Sequence, residues 1–238
     1  MTEGNIHPVI LAAGPSPLGL PTALASFGDR TALEIALANC AGLRSAIVVV
    51  GSRSSRLRAL VPPGARLLIN RDWRRGQIAS LRLALRHLPA GADFMLYPVD
   101  VPLLTPALVG EIVRAFQQRP AGKEIVMPRH RGRNGHPVIF SALVAPELRR
   151  APTARDVVYR DPRRLLFLAA GSAAIYRDMD TPAAYRACLR EFKRSAEAWP
   201  SRPANGSASQ LRRPEPATVP AAARRRAVAP APALRGSS

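Results

Sequence analysis

The chain has 238 residues, 47% hydrophobic and 21% charged, with a formal net charge of +19. That length suffices to bury one sizeable core, and no apolar run approaches the thickness of a bilayer. All but two of the 35 basic residues are Arg, a chain-wide bias rather than a built phosphate-binding patch, and an aromatic content of 5% offers no stacking platform. Specific nucleic-acid binding is therefore not expected.

Pro8 to Ala13 is a short apolar run ending at Gly14, as for a first buried strand that opens into a loop. Residues 31–43 repeat apolar positions at helical spacing, with Thr31 placed to cap and Gly42 to stop the helix. Ser45 to Val50 is a β-branched strand closed by Gly51, and Ala65 to Asn70 reads as a third strand. An amphipathic helix from Ile78 to Leu88 and a strand from Phe94 to Val99 continue the alternation. Pro106 to Arg119 starts on the favoured first helical residue and carries Leu108, Ile112, Val113 and Phe116 on one face. Glu124 to Pro128 and Pro137 to Phe140 read as strands flanking a basic loop. A helix over 154–160, a strand over 164–168 and a helix from Ala183 to Arg194, capped by Thr181, complete the pattern. Strands alternating with helices predict an α/β fold, its mostly parallel sheet covered on both faces.

Residues 1–194 carry this pattern and are expected to form one domain. From 195 to 238 the chain is rich in Pro, Ala, Ser and Arg and nearly empty of large apolar residues, so a disordered tail is expected. Cys40 and Cys188 lie far apart without metal-ligand spacing. They read as buried free thiols of a reducing compartment, a disulfide remaining open. Residues 1–5 lack a basic segment followed by an apolar core, so a cytoplasmic protein is expected.

Asp100 ends the run Phe94 to Val99 and is followed at once by Val101-Pro102. A buried parallel strand that stops on a carboxylate delivers it to the carboxyl edge of the sheet, where open α/β folds hold ligands. Asp100 is the first candidate metal ligand; the alternative is a turn residue or helix cap. Asp178 and Asp180, just before the capped final helix, offer a second acidic element, or merely favourable charges at a helix N-terminus.

Five segments stand in the order seen in MobA-like nucleotidyltransferases: Leu11-Ala12-Ala13-Gly14-Pro15-Ser16, Asn70 to Leu81, Pro98 to Pro102, Gly135 to Phe140 and Asp178 to Pro182. Over residues 6–190 the chain resembles that family most in its molybdenum cofactor cytidylyltransferase branch. The resemblance implies a Rossmann-like nucleotidyltransferase fold and transfer of a nucleoside monophosphate from an NTP to an acceptor, with release of pyrophosphate. It implies that Leu11, Ala12, Ala13, Gly14, Ser16 and Gly19 bind nucleotide phosphates and that Asn70, Gly76 and Ser80 bind base and ribose. It further implies that Asp100 acts in catalysis and holds Mg2+ with Asp178 or Asp180. His136, in a mobile basic loop with Gly132 and Gly135, is expected to clamp the anionic acceptor. Ala-Ala-Gly in the first motif favours CTP. The implied acceptor is molybdopterin, the partner a molybdoenzyme.

One departure stands out. The family pattern L-A-A-G-x-S-x-R-M-G-x-x-K uses its Arg and Lys on the triphosphate, whereas Leu18 and Thr22 occupy those positions here, with one residue fewer before Gly19. Arg30, Arg53 or Arg75 could fill that space. The alternative is a noncatalytic relative that binds nucleotide or molybdopterin as a carrier or maturation partner.

Overall fold

The computed structural model describes residues 5–14, 16, 18–51 and 55–195. The expected tail, save Ser195, lies outside the described residues, as do Pro15 and Arg53. The chain opens with β1 (Ile6–Ala12), a hairpin of β2 (Ser26–Phe27) and β3 (Arg30–Thr31), α1 (Ala32–Asn39) and β4 (Ile47–Val50). Then come α2 (Ser55–Leu60), β5 (Arg66–Ile69), α3 (Gln77–Leu85) and β6 (Asp93–Pro98). α4 (Pro106–Gln117), β7 (Ile125–His130), β8 (Arg133–Asn134) and β9 (Val138–Phe140) follow. α5 (Ala145–Arg150), α6 (Ala154–Arg160), β10 (Leu165–Ala169) and α7 (Pro182–Arg194) complete the described elements.

Among the described residues the main sheet runs β10-β7-β9-β6-β1-β4-β5, with β8 added to β7. β1 pairs in parallel with β4 and β6, β4 with β5, and β7 with β10. β9 lies antiparallel between β6 and β7. Strand order reverses at β1, since β4 and β5 extend to one side while β6 returns to the other. The carboxyl ends of β1 and β6 thus flank the switch point, the usual crevice for a ligand in an open α/β sheet.

Side chains alternate across the sheet with period two. Ile10, Val48, Met95 and Tyr97 share one core with the apolar sides of α1, α4 and α7. Val9, Leu11, Val49, Phe94 and Leu96 share the other with α3, α5 and α6. Both faces are covered, as the nearly unbroken apolar strands require.

The local signals for helix starts hold. Thr31 and Glu34 form a capping box on α1, Thr105 accepts from the N–H of Leu108 before Pro106, and Thr181 accepts from Ala184 before Pro182. Helix α1 stops earlier than predicted, at Asn39, and Gly42 takes its positive φ of 85° in the turn beyond. The buried Asn39 amide donates to the Tyr97 hydroxyl and the Leu104 carbonyl, both at 2.8 Å. These bonds tie the helix end to α4's approach rather than to a further turn.

The 129–136 region is not the mobile loop expected from its charge. β7 continues to His130, and Arg131 (φ 47°) and Gly132 (φ 79°) make a two-residue turn into β8. Two successive positive φ values are the hairpin geometry that matches strand twist. Two of its three arginines are seated: Arg129 donates to Asn134 Oδ1 at 2.7 Å and lies 3.5 Å from the Phe167 ring centroid, while Arg133 lies 4.2 Å from that of Tyr176. α2, α5 and the β2–β3 hairpin were not predicted, because segments this short hold too few residues to display a period.

Cys40 and Cys188 are buried free thiols, with burial pushing them up to about 12 and about 11 respectively, so both stay protonated. No helix among the described residues is long and apolar enough to cross a membrane. Gly110 sits inside α4 and a Cβ there would meet nothing closer than the end of the Arg114 side chain at 3.4 Å. Gly110→Ala should therefore stabilise the fold by about 0.5–1 kcal/mol, seen as a higher denaturation midpoint at unchanged slope.

Candidate active site at the strand switch point

Asp100 lies two residues beyond the end of β6, and the N–H of the intervening Val99 donates to the Leu11 carbonyl at 3.0 Å, placing the carboxylate level with the loop that leaves β1. Its oxygen Oδ1 is enclosed and has no hydrogen-bond partner. An unpartnered carboxylate oxygen in such a place is costly, and a water, an ion or a ligand would relieve that cost. The Asp100 carboxyl is pushed up to about 6, first by burial and then by the negative charge of Asp180, with Asp178 adding less.

The second acidic element reaches this point through the backbone. The N–H of Met179 donates to the Asp100 carbonyl at 3.1 Å, and the Met179 side chain is wholly buried. Asp178 and Asp180 flank it and are exposed. Asp180 is itself held above the ordinary carboxylate range, by partial burial and then by Asp178. The Cys188 thiol donates to the Asp178 carbonyl at 3.4 Å, fixing the segment from the α7 side.

Among the described residues no three His, Cys, Asp or Glu side chains converge as a ready-made metal cage. Two carboxylates with an unpaired oxygen suit a hard divalent ion instead, since Mg2+ is commonly held by one or two carboxylates together with substrate phosphates and water. The donor set fits such an ion.

The nucleotide-side candidates divide. Leu11, Ala12 and Ala13 are buried, whereas Gly14 is exposed and a Cβ there would touch nothing, leaving its backbone approachable. Ser16 accepts from the N–H of Leu18 at 3.3 Å, so it shapes the loop, and Gly19 turns it with φ 72°. Asn70 and Ser80 are brought together but onto each other: the Asn70 amide donates to the Ser80 hydroxyl at 2.9 Å, and both are buried. Asn70 Oδ1 also accepts from the N–H of Asp72 at 2.9 Å, so the pair supports the 70–76 turn. Gly76 is exposed with φ 91° at the start of α3.

Gly51, read from sequence only as a strand terminator, proves to be a meeting point. A Cβ there would lie 3.0 Å from Trp73 Cδ1 and 3.1 Å from the Ala13 carbonyl oxygen, so the first loop and the 70–76 turn close over its bare backbone. A glycine directly after a β-branched run was the available signal.

The departures in the first motif are structural as well. Leu18 is partly buried against the larger core and Thr22 is only 8% exposed, so neither position supplies a cation to meet a phosphate. Of the substitute cations considered, Arg30 is buried and Arg75 is exposed on the turn before Gly76. His136 is partly buried behind the hairpin, its N–H bonded to the Ile175 carbonyl at 2.7 Å and its ring Nδ1 enclosed without a partner. Burial lowers its imidazole to about 4, so it is neutral at physiological pH.

A strand switch point flanked by an open loop, with carboxylates from two chain segments, is the ligand-crevice architecture of an open α/β protein. Residues 8–172 match the family model of the MobA-like NTP transferase domain, and the chain belongs to that family. Rv0371c from Mycobacterium tuberculosis is 32% identical, with a TM-score of 0.68 over 80% of this chain and 100% of its own. A second structure of Rv0371c, a complex with manganese, is 29% identical with a TM-score of 0.62 over 78% of this chain and 98% of its own. The molybdopterin-guanine dinucleotide biosynthesis protein A of Archaeoglobus fulgidus shares the fold at 15% identity and a TM-score of 0.61, over 79% of this chain and all of its own. Among curated proteins no significant match is found. The fold is thus the Rossmann-like nucleotidyltransferase fold, and the chain is a nucleotidyltransferase-family domain.

Proposed function

We propose that the chain transfers CMP from CTP to a phosphate acceptor, molybdopterin first among the candidates, with release of pyrophosphate. The observation that carries the reading is the Asp100 carboxylate at the switch point, its Oδ1 enclosed without a protein partner and its carboxyl pushed up by burial and by the charge of Asp180. In this reading Asp100 and Asp180 hold Mg2+, with Asp178 close behind. The manganese complex of Rv0371c supports a divalent ion in this family. When bound, the ion would neutralise charge between triphosphate and acceptor and orient the α-phosphate for in-line attack.

The chain's own part is positioning. The exposed Gly14 backbone leaves room for phosphates, and small residues after a strand let N–H groups approach them. Ala12 and Ala13 in the first motif favour the cytidine nucleotide. His136, kept neutral by burial, serves as a hydrogen-bonding group rather than as a cation. Residues 1–194 form the transferase domain, and the basic tail is accessory to it.

A second reading draws on Leu18 and Thr22. Two charge-assisted hydrogen bonds of roughly 1.5–3 kcal/mol each are missing from the phosphate loop. A chain without them is suited to bind nucleotide or molybdopterin as a carrier, without turnover, and to hand it to a molybdoenzyme. Pyrophosphate release by the full chain with Mg2+, molybdopterin and each NTP in turn separates the two. Turnover that prefers CTP supports the transferase. Nucleotide or molybdopterin binding without pyrophosphate supports the carrier, and neither would sink both.

A further inference from the structure

Gly135 is glycine for lack of space. Its backbone is not in the left-handed region, so no dihedral requires glycine there. A Cβ would instead overlap the carbonyl oxygen of Ile175 and lie 2.6 Å from its Cγ1 and 2.7 Å from its carbonyl carbon. Real Cβ atoms essentially never come so near, and the obstructing atoms are mostly backbone, so the neighbouring segment itself would have to move.

That segment leads straight to the acidic pair. Ile175, wholly buried, lies in the short helical turn Ala173–Tyr176, and its carbonyl accepts from the N–H of His136 at 2.7 Å. Gly135 is held from its other side, its N–H donating to the Pro128 carbonyl of β7 at 2.9 Å. Four residues beyond Ile175, Met179 takes the second anchor, its N–H on the Asp100 carbonyl. Residues 176–178 therefore span two fixed points, one at Gly135 and one at Asp100, and a shift of the first is passed to the second.

We infer that Gly135 is a positioning residue for the acidic pair: the absence of a side chain there seats Ile175 and thereby sets Asp178 and Asp180 opposite Asp100. The inference rests on the divalent-ion reading of those carboxylates. An added methyl at 135 displaces the 175–180 segment, separating Asp180 from Asp100 and weakening the divalent site, while the core on the opposite face of the sheet, which this segment does not enter, is kept.

The test is a Mn2+ titration of the full chain, followed by electron paramagnetic resonance of the free ion. It compares wild type with Gly135→Ala, Gly110→Ala as the control for an added methyl, and Asp100→Asn. Thermal unfolding establishes that each is folded. Supporting residues of metal sites typically change affinity roughly 10- to 100-fold, and that loss is expected for Gly135→Ala, with none for Gly110→Ala and no binding by Asp100→Asn. Exchange of the Met179 amide hydrogen should quicken in Gly135→Ala alone, a readout that needs no metal. Should Gly135→Ala not accumulate folded, Ile175→Ala loosens the same seat without adding an atom and should weaken Mn2+ binding in the same direction. Wild-type Mn2+ affinity in Gly135→Ala, or in Ile175→Ala where that variant stands in, with Asp100→Asn still silent, overturns the positioning role and leaves the metal reading standing. A wild-type chain that does not bind Mn2+, or an Asp100→Asn that binds as well, overturns the metal reading and the positioning role with it.

Discussion

Asp100→Asn should abolish Mg2+-dependent pyrophosphate release, by roughly 10³-fold or more, while making the metal-free protein more stable at neutral pH. Activity and stability move apart because the carboxylate is badly placed for folding alone. Its pKa is raised from 3.8 to about 6, chiefly by burial and then by Asp180. A carboxyl raised in the folded state favours folding when protonated. That contribution is complete below the unfolded value near 3.8 and is lost as pH rises through about 6. Above pH 6 the ionised group therefore costs stability, at most about 3 kcal/mol for a shift of this size. Asparagine removes the charge at nearly the same volume. Denaturant midpoints taken in chelator from pH 4 to 8 should show the variant ahead at pH 7 and the two converging toward pH 4. A variant that is less stable at every pH and still releases pyrophosphate would refute the assignment.

Phe27→Ala should cost about 3–5 kcal/mol and at the same time weaken Mn2+ binding. Phe27 is wholly buried, with its ring edge-on to Tyr185 at 5.5 Å and to Phe192 at 5.4 Å. Tyr185 also donates to the Ser26 carbonyl at 2.8 Å. The small β2–β3 hairpin is thus the surface on which α7 is seated, and α7 begins two residues after Asp180. Leu148→Ala, in α5 on the opposite face of the sheet, removes a comparable buried side chain without touching α7. Urea unfolding should find both variants destabilised, but a titration well below their melting temperatures should find only Phe27→Ala weakened toward Mn2+. Equal Mn2+ affinity in the two would detach α7 seating from the site.

Legibility in the sequence followed the range of the interaction. Runs such as Ile47 to Val50 and Phe94 to Val99, the caps Thr31 and Thr181 and the helix-opening Pro106 carry their structure in neighbouring residues, so strands, helix starts and the strand-end position of Asp100 were readable. The same reading set a mobile loop over 129–136, because charge and glycine are visible in sequence while the ring contacts of Arg129 and Arg133 are not. That Asn70 donates to Ser80 was likewise invisible, since nothing local shows which partner each side chain finds. The loss of Arg and Lys from the first motif was plain in the letters. Its consequence needed the packing, which turns Leu18 onto the core and buries Thr22.

By itself, then, the sequence determined an α/β chain with apolar strands, capped helices and acidic residues at strand and helix ends, because those follow from propensities, caps and helical spacing within a few residues. Only the tertiary structure decided that β6 returns beside β1, that the Met179 N–H meets the Asp100 carbonyl, and that Gly135 gives way to Ile175. Those depend on how strands are ordered across a crossover, where desolvation, Coulomb repulsion and excluded volume act between segments the chain itself keeps far apart.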